Sequence, residues 1–137
     1  YDRANSGLPL ASFNYSSFLA LPQPGNPEVD LEASATSPVS IDVVYWSGSM
    51  SNGKSPFDDK PNRDRLFATQ ITGTGSATSF LFSGYVNISP SLLTWGDANG
   101  YNFTASAQAG VDSKALDGFA MEGMVFWSRQ YYSLHRF

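Results

Sequence analysis

Apolar and polar positions alternate along much of this chain with a period of two. Val29, Leu31 and Ala33 are interleaved with Asp30, Glu32 and Ser34. Val39, Ile41, Val43 and Tyr45 alternate with Ser40, Asp42, Val44 and Trp46. Phe80, Phe82, Gly84, Val86 and Ile88 fall along one face, and Tyr101, Phe103, Ala105 and Ala107 alternate with Asn102, Thr104 and Ser106. A strand places successive side chains on opposite faces, so each run predicts a half-buried strand. Phe13–Leu21, Leu66–Thr72 and Phe119–Trp127 are further strand candidates.

Turn residues punctuate these runs, with 12 Gly and 8 Pro. The pattern predicts an all-β, antiparallel sandwich or jelly roll of about seven to nine strands. It leaves room for one short helical turn at most. Ser89 and Pro90 read as a helix start, with Ser91–Trp95 a single turn that ends at Gly96. The tail supports two periods. Met124, Trp127, Tyr131 and Leu134 fit a helix, whereas Phe119, Met121, Gly123, Val125 and Trp127 fit a strand, which is taken first.

The chain has 137 residues, enough for one domain with a sizeable core. The expected domain is 1–137, interrupted by a polar loop over 47–65. A loop that long inside a compact domain is usually functional or disordered. The start at Tyr1 rather than Met reads as a processed product or a fragment.

Composition narrows the function. Aromatic residues reach 15% and charged residues only 15%, against roughly 25% charged in ordinary soluble domains. A surface poor in charge suits a secreted chain or a subunit packed among copies of itself. Net charge is −4, and three Lys with five Arg do not make a nucleic-acid grip across the surface. They do not make a polybasic membrane anchor either. No apolar run approaches the roughly 18 residues of a membrane span. With no Cys, disulfides, thiolate metal sites and Cys nucleophiles drop out.

Several motifs invite a chemical reading. Gly48-Ser49-Met50-Ser51-Asn52-Gly53-Lys54-Ser55 satisfies the phosphate-loop pattern and follows a strand. That motif needs a helix directly after it, to aim backbone N–H groups at phosphate. Pro56 follows Ser55 instead and disfavours the α conformation before it. Asp58, Asp59 and Asp64, with Asn62 among them, supply oxygens for a hard cation such as Ca²⁺. The simpler reading is a solvated acidic turn balanced by Lys60, Arg63 and Arg65.

His135 is the single histidine and has no nucleophile elbow to serve. Glu28 and Glu32 lie on an outward face. Glu122 sits among apolar residues, where a buried carboxylate is as readily structural as catalytic. No catalytic constellation is complete, so no enzyme activity and no cofactor are expected. Trp95, Asp97, Asn99, Tyr101 and Asn102 combine rings and amides as sugar sites do, and a Gly-rich turn with an inward Trp explains them as well. Asn14, Asn87 and Asn102 head N-x-S/T sequons.

Two regions resemble picorna-like virus capsid proteins. The first is Leu8–Trp46, where a strand and a Pro-Gly-rich link lead to Pro38-Val39-Ser40-Ile41-Asp42-Val43-Val44-Tyr45-Trp46, similar to the last strands of a capsid jelly roll. The second is Glu122–Phe137, with Ser128-Arg129-Gln130 and Leu134-His135-Arg136-Phe137; Glu122-Gly123 stands where the family pattern has Gly-Glu. Together they cover under half the chain. The resemblance implies a coat subunit or fragment in a virion or other extracellular particle, partnered by copies of itself or sister coat subunits.

The expected function is therefore structural. Trp46, Trp127, Tyr131, Tyr132 and Phe137 are the expected interface residues, since aromatic residues enrich interface cores. The alternative is a secreted lectin-like module binding glycan through the Trp95–Asn102 group.

Overall fold

The computed structural model describes residue 9 and residues 11–111. Within them the regular structure is mostly strand. Four strands, β1 (Leu31–Thr36), β2 (Val43–Gly48), β3 (Arg65–Thr72) and β4 (Ser79–Asn87), form one antiparallel sheet in the order β1-β2-β3-β4. Helix α1 (Ser89–Ala98) and the short α2 (Phe103–Ser106) follow. The candidate strand Phe119–Trp127, together with Glu122, Tyr131, Tyr132, His135 and Phe137, lies outside the described residues.

The sheet is a meander. Each strand pairs with its neighbour in sequence, and register runs through Ser34↔Trp46, Trp46↔Phe67 and Phe67↔Tyr85. The β3–β4 turn uses Gly73 and Gly75, both at positive φ, and a Cβ on Gly73 would collide with the Ala77 carbonyl. The register of β3 on β4 slips by one between Ala68 and Thr69, a bulge that re-aims β4.

Register and alternation divide the sheet into two faces. Trp46, Phe67, Thr69, Phe80 and Phe82 share one of them. Their rings interlock: Trp46 stacks on Phe67 at 6.3 Å, Phe67 stacks on Phe82 at 6.3 Å, and Trp46 meets Phe80 edge-on at 6.2 Å. Thr69 is fully buried beneath them and accepts a hydrogen bond from the Trp46 indole Nε1 at 2.9 Å. Aromatic burial with a satisfied indole N–H is the main apolar stabilisation of this face.

Residues 13–19 cover that face, though not as the expected strand. The amide of Ser16 donates to Asn14 Oδ1 at 2.9 Å, and Phe18 N donates to the Tyr15 carbonyl at 2.8 Å, so the segment turns. Turning points Tyr15, Phe18 and Leu19 down together. Tyr15 donates its hydroxyl to the Phe80 carbonyl at 2.6 Å, Phe18 stacks on Phe82 at 5.3 Å, and Leu19 is buried.

Other expectations shift as well. β2 begins at Val43 rather than Val39, because Val43 N bonds back to Ser40 O and makes 40–43 a turn. Ile41 is left 82% exposed. Helix α1 is ten residues rather than one turn, with Pro90 in its first turn as expected. The alternating run over 101–107 forms no strand, and residues 103–106 of it are the helix α2. Asn102 takes a left-handed φ of 55° and reverses the chain, Asp97 Oδ1 accepts from Thr104 N at 3.0 Å, and two of the supposed strand positions are Ala, the best helix former. Two helices therefore replace the single turn.

The long loop between β2 and β3 is tied down by its own polar side chains. Asn62 is 1% exposed; its Oδ1 accepts from Gln23 N at 2.9 Å, and its Nδ2 donates to the carbonyls of Gln23 at 2.8 Å and Asn26 at 2.6 Å. Arg63 pairs with Glu28 and Asp30, each at 3.3 Å, and donates to the carbonyl of Asn52 at 2.9 Å. A three-residue 3₁₀ turn, Pro61–Arg63, presents both side chains. Truncating Asn62 removes three part-buried hydrogen bonds to backbone groups of the link, each of which costs stability to lose. Asn62→Ala is expected to lower unfolding free energy by about 2–3 kcal/mol in urea titrations. A change below about 0.5 kcal/mol would show that the link is held by other means.

Candidate functional site

The loop of residues 49–64 carries most of the chemistry read from sequence. Its phosphate-loop string leaves β2 at Gly48, but a turn follows Lys54, closed by Phe57 N donating to Lys54 O at 2.9 Å. No helix begins after Ser55. Two amides that a phosphate would need are already in use: Met50 N donates to Arg63 O and Gly53 N to Asp58 O. The loop is folded on itself rather than open around an anion.

The three aspartates of that loop divide. Asp58 is exposed and pairs with Lys60 at 2.6 Å, and that bond holds its carboxyl below the usual carboxylate value. Asp59 and Asp64 line a cavity of about 110 Å³ between the loop and α1, together with Met50, Asn52, Lys60 and Ser89. Burial pushes the Asp64 carboxyl above its ordinary value, a hydrogen bond with the Ser89 side chain acts the other way, and nearby Asp59 raises it further. Among the described residues no three His, Cys, Asp or Glu side chains gather closely enough to hold a metal ion. Arg63, expected to balance this acidic turn, reaches instead to Glu28 and Asp30. A second, open groove of about 370 Å³ lies on the aromatic face, lined by Tyr15, Leu19, Val29, Leu31 and Phe67.

The aromatic–amide group forms the α1–α2 corner. Trp95 and Tyr101 stack at 5.6 Å, and Tyr101 stacks on Phe103 at 5.6 Å. Trp95 and Tyr101 are both exposed, so the expected inward Trp is instead half of a surface stack. Gly96 lies directly against the Phe103 ring, where a Cβ would collide. The polar members serve the backbone. Asp97 receives Thr104 N, Asn99 Nδ2 donates to Trp95 O at 2.8 Å, and the Asn102 carbonyl receives Ser106 N at 3.1 Å. The hydrogen bond from Thr104 lowers the Asp97 carboxyl below its usual value.

Trp46, expected at an interface, is half-buried in the aromatic face described above. The three sequon asparagines are all exposed. Asn62 and Arg65, read from the sequence as a cation-binding oxygen donor and a solvated counter-charge, are instead both buried and donate to backbone carbonyls. Sequence reasoning passed over the second face of the sheet, whose composition emerges only once register is known. Among the described residues no helix is long and apolar enough to cross a membrane. Compared with protein-family models, curated proteins and solved structures, the chain matches none.

Asp64 makes stability depend on pH in a stated direction. Its folded carboxyl binds its proton more tightly than the unfolded one. The contribution of Asp64 to stability is therefore greatest in acid, falls as pH rises from the ordinary carboxylate value through the raised folded value, and stays low above it. Asp64→Asn removes the charge that burial penalises. The variant is expected to be more stable than the parent at neutral pH, with the difference shrinking toward pH 3. Thermal melts across pH check this; a difference independent of pH contradicts it.

Proposed function

We propose that this chain is a structural assembly protein: a subunit of a viral coat or another extracellular particle, built on a β-sandwich of jelly-roll type and without catalytic activity. One observation carries the reading. Among the described residues only Leu19, Met50 and Phe67 are buried large hydrophobic side chains, whereas eleven others, Phe13 through Val111, are exposed. Exposed apolar side chains in this number are compatible with surfaces that meet partners. The low charge content points the same way, because interface cores are depleted of Lys, Glu and Asp. The antiparallel meander is compatible with part of a jelly roll, and the capsid resemblance of Leu8–Trp46 and Glu122–Phe137 supports the same class. Partners are then copies of this chain or sister coat subunits. On this reading the chain sediments as species heavier than a monomer at micromolar concentration, in at least one condition of salt and pH. A monomer under every condition overturns it.

A second reading rests on the exposed Trp95–Tyr101 stack. Ring faces at a surface are the usual platform for the apolar side of a sugar. A lectin-like module would use those rings, with Asp97, Asn99 and Asn102 at its rim. A glycan array probed with and without Ca²⁺ tests it. Binding that Tyr101→Ser abolishes supports the module, and an empty array removes it.

A further inference from the structure

Asparagine followed by glycine occurs twice in the chain, at Asn52-Gly53 and Asn99-Gly100. A glycine nitrogen has no Cβ beside it, so it is the backbone nitrogen best able to reach the carboxamide carbon of the preceding asparagine. The fold treats the two pairs differently. Asn52 is half-buried, and its Nδ2 donates to the carbonyls of Gln108 at 2.8 Å and Val111 at 3.0 Å. Gly53 is buried, its N–H donates to Asp58 O at 2.8 Å, and a Cβ there would collide with the Asp58 carboxylate. Asn99 and Gly100, by contrast, are both exposed at the end of α1. Gly100 takes a φ of 81°, and among the described residues open space surrounds the place of its missing Cβ. Gly100 N donates to Asp97 O at 3.1 Å and Tyr101 N to Gly96 O at 2.9 Å, the pattern of a helix closed by a left-handed glycine. Asn99 Nδ2 adds its bond to Trp95 O.

We propose that Asn99 is a site of spontaneous deamidation selected by the fold, that Asn52 is protected from it, and that conversion of Asn99 disturbs the exposed Trp95–Tyr101 stack. The reaction needs only base and water. Hydroxide takes the proton from Gly100 N, and the nitrogen attacks Asn99 Cγ. A new C–N bond closes a five-membered imide while the Cγ–Nδ2 bond breaks and ammonia leaves, taking its third proton from water. One water then opens the imide at either carbonyl and leaves aspartate or isoaspartate at position 99. Ring closure requires Gly100 N and Asn99 Cβ on the same side of the Cα–C bond. At a ψ of 9° Asn99 does not present them so, and the turn must open first. Frayed helix ends and exposed turns open at small free-energy cost, whereas the Asn52 carboxamide must leave two carbonyls and its glycine is buried. The corner registers the outcome. Either product loses the Nδ2 donor to Trp95 O and sets a carboxylate at the negative end of α1. Isoaspartate also adds a carbon to the main chain, which draws Tyr101 N away from Gly96 O and shifts the ring that stacks on Trp95.

The test ages the intact chain at mildly alkaline pH, natively and in urea, and follows both sites by tryptic digestion and tandem mass spectrometry. Cleavage after Lys54, Arg65 and Lys114 puts Asn52 and Asn99 in different peptides. In the native chain Asn99 is expected to convert at least about tenfold faster than Asn52, to a mixture of aspartate and isoaspartate, because its turn opens more readily. Both rates should rise with pH. In urea the two sites are expected to converge, since the fold no longer separates them. Equal native rates, or a faster Asn52, overturn the proposal. A tenfold difference that persists in urea overturns it too, because selectivity then comes from neighbouring residues and not from the fold. A native Asn99 that stays intact while both sites convert in urea shows that the α1 exit protects it, and the proposal falls. Asn99→Asp reproduces one product in uniform form. The variant is expected to show a weaker near-ultraviolet circular dichroism signal from its rings and a lower melting midpoint. A parental spectrum and midpoint overturn the effect claimed for the stack. The ageing experiment uses the parent chain alone, so it decides the site even where the variant does not fold.

Discussion

The guanidinium of Arg65 organises the described structure. It is 7% exposed, and among the described residues no carboxylate forms an ion pair with it. Burying a cation without a counter-charge is costly unless its N–H groups find acceptors. Here Nε donates to the Leu19 carbonyl at 3.0 Å, Nη2 donates to the Ala20 carbonyl at 3.0 Å, and the group lies over the Tyr85 ring at 5.4 Å. Nη1 is buried without a partner, so the compensation is incomplete. That expense has a geometric result. Two carbonyls near the end of the 16–20 turn are satisfied from the sheet, and the turn is held where Tyr15, Phe18 and Leu19 reach the aromatic face.

Arg63 and Asn62, just upstream, repeat the device on the next stretch of chain. Together the three side chains staple residues 19–30 to the start of β3. A polar loop that the sequence offers as mobile or ligand-binding is thereby a structural brace. The carboxylates left over, Asp58, Asp59 and Asp64, are spread between an exposed ion pair and the edge of a small cavity. Much of the loop's chemistry is spent internally, which moves functional interest from the loop to the surfaces of the sheet.

Legibility followed the physics of each segment. Leu66–Thr72 and Phe80–Ile88 were readable as strands from their β-branched and aromatic residues, but the expected single face of Phe80, Phe82, Gly84, Val86 and Ile88 is split: the bulge sets Phe80 and Phe82 on one face and Gly84 and Val86 on the other, and β4 ends at Asn87. Phe13–Leu21 and Tyr101–Ala107 carry a similar alternation and are not strands. In the first, the Asn14 side chain takes the Ser16 amide; in the second, the Asp97 side chain takes the Thr104 amide, and a strand's hydrogen bonds lose to local ones. The Trp95–Asn102 group was visible as a cluster of rings and amides. Its Asp97 and Asn99 side chains proved to serve backbone groups, a use that depends on the end of α1 and its turn and so leaves no mark in composition.

From the sequence alone came the β-rich character, the antiparallel pattern, the absence of cysteine chemistry and the shortage of surface charge. These depend on residue type and nearest neighbours, which a linear string contains. The tertiary structure decided which face each strand residue occupies, because one bulge at Ala68/Thr69 shifts the register and with it every side chain beyond. It also decided that Arg65 is buried and that Trp95 is exposed. Each of those is a relation between residues far apart in the chain, and pairing alone creates it.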